Sequence, residues 1–142
     1  MSRVYVETSA LLRVLLDADE ELRPVLARDG LFTSALTFVE GARAISRARR
    51  EGRLDSSEVR EAERQLAAFE RSCDTIALDD EVLRRAREGY PEEPVRTLDA
   101  IHLATVRVLD QELGDFVVAS CDERVRRNAT ALGFTVVPER SS

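Results

Sequence analysis

A chain of 142 residues with 44% hydrophobic and 34% charged residues is sized for one domain built around one core. No apolar run approaches the ~18–20 residues that a bilayer span needs, and the first residues lack the layout of a secretory signal, so the expected location is cytoplasmic. The formal net charge of −6 weighs mildly against a nucleic-acid partner, although acids gathered around a cation would account for part of it.

The chain opens with Val4-Tyr5-Val6, a β-branched and aromatic run that predicts a short strand. A helical pattern follows from about Ser9 to Asp17. A second begins near Asp19, with Pro24 tolerated in an early turn and Gly30 closing it. Leu31-Phe32-Thr33 reads as a second strand, and Ser34 as the N-cap of a long helix through Arg50 that Gly52 stops. Asp55-Ser56-Ser57-Glu58 has the spacing of a capping box for a helix reaching about Arg71. Asp74 to Leu78 is a third strand candidate, and Asp79 or Asp80 starts a helix that Gly89 and Pro91 end. Thr97 can cap a helix from Leu98 to about Leu113. Asp115 to Ala119 is a clearly apolar fourth strand. A helix over about Glu123 to Leu132, Gly133 and a last strand from Phe134 to Val137 complete a domain over 1–138, leaving a short tail at 139–142. Cys73 and Cys121 make neither a CxxC pair nor a disulfide framework, and each reads as a buried small apolar residue beside a strand.

Short apolar strands alternating with helices predict an α/β domain, a parallel sheet of about five strands covered by helices on both faces. In such a sheet the C-terminal strand ends share one edge, the place where ligands bind. Glu7 follows the first strand and Asp122 the fourth. Asp99 sits in the first turn of its helix, and Glu40 lies two turns into the helix after strand two, with Thr37 at i−3. Taken singly, Asp99 reads as a helix-start charge, Asp122 as an N-cap and Glu40 as a solvated residue; Glu7 has the weakest such reading. Together, four carboxylates in one cleft repel unless a cation joins them. Oxygen donors without His or Cys clusters suit Mg²⁺ or Mn²⁺ rather than zinc. Thr8, Ser9, Ser34 and Thr37 are candidates to orient the acids or bound water, or equally for local capping. Arg96, Arg124, Arg126 and Arg127 flank the expected pocket and could meet phosphates. His102, at i+3 from Asp99, is a candidate for the pocket edge and an RNA contact, although a lone helical His more often serves structure. Arg43, Arg47, Arg49 and Arg50 lie further along their helix and read as solvated surface or a partner contact.

The segments Val4 to Ala10, Ser34 to Glu40, Leu98 to Ala104 and Ser120-Cys121-Asp122-Glu123-Arg124 resemble PIN-domain ribonucleases, most of all the VapC type, the toxins of type II toxin–antitoxin pairs. The resemblance runs over the whole chain in unbroken motif order. It implies a Mg²⁺-dependent endoribonuclease that hydrolyses RNA phosphodiester bonds with a metal-activated water held by Glu7, Glu40, Asp99 and Asp122. It also implies a small cognate antitoxin, a homodimer and no membrane. One position departs from the family: Glu7 stands where Asp is usual, moving the carboxylate by about 1.5 Å, one C–C bond. The alternative is therefore a PIN-like module that binds RNA or a partner with weak or no catalysis. A phosphatase or phospho-acceptor reading ranks last, because it needs an Asp nucleophile after the first strand.

Overall fold

The structure is a computed structural model and describes residues 2–140. Its first strand, β1 (Arg3–Val6), is the middle one of five, all parallel. β2 (Leu31–Ser34) and then β3 (Asp74–Ile76) lie to one side of it. β4 (Phe116–Ala119) and then β5 (Thr135–Val137) lie to the other. The helices in chain order are α1 (Thr8–Asp17), α2 (Arg23–Leu26), α3 (Ala35–Arg50), α4 (Ser56–Ser72), α5 (Asp80–Ala86), α6 (Thr97–Leu113) and α7 (Glu123–Ala131). The α/β architecture expected of the sequence is the one found. Of the expected tail, residues 141 and 142 lie outside the described residues.

Side chains alternate across a pleated strand, and the core follows that alternation. Val4, Val6, Leu31 and Ala119 pack against Ala10, Leu11 and Val14 of α1 and Phe69 of α4. Tyr5, Phe116 and Val118 face the other way, onto Leu103, Val106 and Leu109 of α6 and Val125 and Ala129 of α7. The register sets Tyr5 opposite Phe32 and Val118, and Val6 opposite Ala119, so β1 and β4 end level with each other.

Four local expectations change. The helix expected from Asp19 shrinks to the four residues of α2. Ala18 turns into the left-handed region (φ 52°), and the Asp19 carboxylate accepts from the N–H groups of Glu21 and Leu22, which holds a turn instead. β3 stops at Ile76 because its only neighbour, β2, ends opposite at Ser34. Thr97 is the first helical residue of α6 rather than its cap; Arg96 holds the cap position and its side chain caps nothing. Cys73 and Cys121 are half-buried, because each sits at a strand terminus where the core opens to solvent.

The capping box of α4 is formed, Glu58 N–H donating to Asp55 at 2.8 Å and Asp55 N–H to Glu58 at 3.0 Å. Replacing an N-cap Asp by Ala costs about 1 kcal/mol. Asp55→Ala should therefore lower the melting temperature by roughly 3 °C, as a thermal melt would measure. An unchanged melting temperature would show that the box adds nothing to the stability of α4.

Candidate active site

From β1 the chain builds the sheet outward through β2 and β3, then returns to place β4 on the other side of β1. The loops leaving β1 and β4 therefore diverge, and the crevice between them is where a doubly wound sheet binds ligands. Glu7 leaves β1 into this crevice and Ser120-Cys121-Asp122 leaves β4 into it.

Glu7 is only 5% exposed and N-caps α1. Its Oε2 accepts from Ser9 N–H at 2.9 Å. Its Oε1 accepts from the hydroxyls of Ser9 at 2.5 Å and Ser120 at 2.6 Å. Those hydroxyls accept in turn from the N–H groups of Cys121 at 2.7 Å and Asp122 at 3.1 Å. The extra methylene lets this carboxylate bend back over its own helix start, and it latches the β1–α1 turn to the β4–α7 turn. Ser9, a candidate to orient an acid, donates to Glu7 and is not a cap; Ser120 carries no such expectation, although a Ser two residues before Asp122 at a strand end is the signal for such a turn.

Glu40 is held by a second network. Its Oε1 accepts from Thr8 at 2.6 Å and from His102 Nε2 at 2.7 Å. Because a carboxylate only accepts, Nε2 carries the hydrogen, and His102 Nδ1 is free to accept from Tyr5, whose hydroxyl lies 2.7 Å away. Burial, with the charge of Glu7 behind it, raises the Tyr5 phenol well above its ordinary value, so it stays a donor. Burial by itself would raise Glu40, but the hydrogen bonds from His102 and Thr8 outweigh it and lower the carboxyl below its ordinary value. Thr33 ties the layer beneath, donating to Val6 C=O at 2.6 Å and lying 2.8 Å from Thr37. Thr37 reaches Thr8 only at 3.4 Å, and Ser34 caps α3 through Leu36 N–H without touching an acid.

Asp99 and Asp122 form the third group. The Arg96 guanidinium stands between them, Nε at 3.3 Å from Asp99 Oδ2 and Nη2 at 3.6 Å from Asp122 Oδ2. Asp122 Oδ1 is already used, capping α7 through the N–H groups of Arg124 and Val125. Burial and then the charge of Asp122 raise the Asp99 carboxyl above its ordinary value, against the opposing pull of Arg96.

A family model, the PIN domain, matches residues 4–131. The chain belongs to the PIN domain family. Ribonuclease VapC46 of Mycobacterium tuberculosis is 33% identical over 141 residues, covering 96% of this chain and 98% of that protein. Among solved structures, a toxin–antitoxin complex from Klebsiella pneumoniae contains a chain that superposes with a TM-score of 0.66 at 16% identity, covering 99% of this chain and all of that one. VapC20 of M. tuberculosis, described as a Sarcin-Ricin loop cleaving toxin, superposes with a TM-score of 0.63 at 17% identity, covering 93% of this chain and 96% of that one. At these identities the superpositions speak for the PIN fold alone.

A divalent cation in this PIN domain would have oxygen donors only. Among the described residues no three acidic, His or Cys side chains stand close enough together to hold a metal. The four acids expected around one ion are thus not gathered into a closed shell, because Glu7 and Glu40 are turned to hydroxyl and imidazole donors. Asp99 and Asp122 fit better. Mg²⁺ binds through one or two carboxylates and keeps several waters, and a cationic guanidinium already stands between this pair.

The remaining expectations divide cleanly. His102 is 1% exposed and lies under Glu40, not at the pocket edge, because the apolar face of α6 that carries it is the face that packs on the sheet. Arg126 donates to Ser120 C=O and Pro138 C=O, both at 2.7 Å, so it clamps backbone instead of facing a phosphate. Arg96, Arg124 and Arg127 are exposed, Arg124 donating to Pro94 C=O at 3.3 Å. Arg43, Arg47, Arg49 and Arg50 are exposed on α3. Grooves of about 480 and 440 Å³ flank α4, and neither is lined by any of the four acids.

Ionised Asp99 is disfavoured in the fold relative to the unfolded chain, so its charge lowers stability above its ordinary value of 3.8 and costs nothing below it. Arg96 offsets little of this, being 69% exposed. At neutral pH without divalent ions, Asp99→Asn should melt above the parent. The gap should close as pH falls towards 3.8. A lower melting temperature for the variant at neutral pH would show that Asp99 is structural.

Proposed function

We propose that the protein is a metal-dependent endoribonuclease, the toxin of a VapBC-type pair, with Asp99 and Asp122 as the direct ligands of Mg²⁺ or Mn²⁺, Glu40 acting through bound water, and Glu7 fastening the two turns that carry the site. The observation that carries this reading is the Asp99–Asp122 pair, two acids from separate elements brought onto one guanidinium at the switch point of the sheet. It stands in a chain 33% identical over nearly its whole length to a ribonuclease. When bound, the cation supplies positive charge for the phosphate and a water of lowered pKa. Glu40, kept ionised below its usual range and fixed by His102 and Thr8, is an acceptor for a proton at its Oε2, the oxygen its partners leave free. The toxin–antitoxin neighbour supports a small antitoxin partner, and a homodimer belongs to the same proposal. No described helix is long and apolar enough to cross a membrane; a cytoplasmic location belongs to the same proposal.

The test is cleavage of RNA by the purified protein with Mg²⁺ or Mn²⁺. Asp99→Asn should lower the rate at least ~100-fold, the scale on which single groups aimed at developing charge act. Unchanged cleavage by a folded Asp99→Asn protein would remove the proposed site.

A second reading, an RNA- or partner-binding PIN module with weak or no catalysis, is favoured by the state of Glu7, both of whose oxygens are satisfied within the protein. Glu7→Asp separates the two. Displacements near 1 Å can cost ~100-fold in rate, so a rise of about tenfold or more would mark Glu7 as a brake. A fall in both melting temperature and cleavage would mark it as a latch that the active enzyme needs.

A further inference from the structure

We infer that Arg96 is an exchangeable counter-ion: it holds the place of the divalent cation between Asp99 and Asp122, and on metal binding it turns outward to take an RNA phosphate. The inference rests on the assignment of Asp99 and Asp122 to the metal. Three observations support it. Asp122 offers only Oδ2, since Oδ1 caps α7, and Asp99 also presents Oδ2; both atoms face the same guanidinium, at 3.6 and 3.3 Å. A doubly charged ion bound to those oxygens at the short distances Mg²⁺ demands would sit within a few ångströms of the guanidinium, and the two cations repel. The Arg96 side chain is 69% exposed and has no other polar partner among the described residues, so it can leave without breaking the core.

The place it would turn to suits an anion. Arg96 is the N-cap residue of α6 and its side chain makes no capping bond, so the first-turn N–H groups lie beside the guanidinium; the Asp99 carboxylate shares that turn and opposes an anion there until a cation binds it. A planar guanidinium binds phosphate oxygens in pairs. Metal and RNA would then bind with positive coupling, since an RNA phosphate that engages Arg96 removes the metal's competitor, and the coupling must run equally in both directions.

Mn²⁺ affinity measured by isothermal titration at fixed ionic strength tests this without any turnover. The proteins are the parent, Arg96→Ala, Arg96→Lys and Asp99→Asn, each with and without a mixed-sequence single-stranded 2′-O-methyl RNA. Arg96→Ala should bind Mn²⁺ roughly two- to fivefold more tightly than the parent, the scale of an exposed ion pair. Arg96→Lys should stay near the parent. RNA should tighten Mn²⁺ binding in the parent and do so much less in Arg96→Ala. Equal or weaker Mn²⁺ binding by Arg96→Ala, or undiminished coupling to RNA, overturns the exchange while leaving the metal site standing. An Asp99→Asn titration that matches the parent overturns the metal site itself, and the exchange with it.

Discussion

Charge repulsion at one edge of the sheet is the constraint around which this protein is arranged. Parallel strands deliver their C-terminal ends to a single edge, and here two of those ends carry an acid while two helices bring one more each. Each carboxylate is compensated in a different way. Glu7 has three O–H and N–H donors, Glu40 has a threonine and a buried imidazole, and Asp99 and Asp122 share a guanidinium. At Asp99 the compensation falls short, and burial and the charge of Asp122 raise its carboxyl above its ordinary value.

That division separates scaffold from chemistry within one crevice. Glu7 and Ser120 bind the two diverging turns together, so the acid at the mouth of the first strand works as a fastener. The Tyr5–His102–Glu40 line runs from the core of the sheet to the crevice and fixes one acid in orientation and ionisation. Asp99 stands one turn before His102 on α6, so the rigid face that buries the imidazole also sets the height of Asp99 above the sheet. Buried polar chains of this kind hold geometry because each member is satisfied.

Glu7 also shows how one methylene changes a role. An Asp here could cap α1 and still face the crevice, being short. The longer Glu reaches back to Ser9 and across to Ser120, and the hydroxyls that fill its oxygens are not available to hold water for a neighbouring ion. The same substitution therefore strengthens the junction between β1 and β4 and withdraws a donor from the crevice.

The sequence by itself determined the α/β class, the strand and helix order, the capping box at Asp55, and the edge to which Glu7, Asp99 and Asp122 belong. These follow from period, capping chemistry and the direction of parallel strands, all of which are local or topological. Only the tertiary structure decided which partner each acid takes. The burial of His102 depends on the face of α6 turned to the sheet, the bond from Ser120 to Glu7 spans 113 positions, and Arg96 reaches Asp122 only once α6 and α7 stand side by side. Distances of this kind are set by packing between remote elements, and no spacing along the chain encodes them.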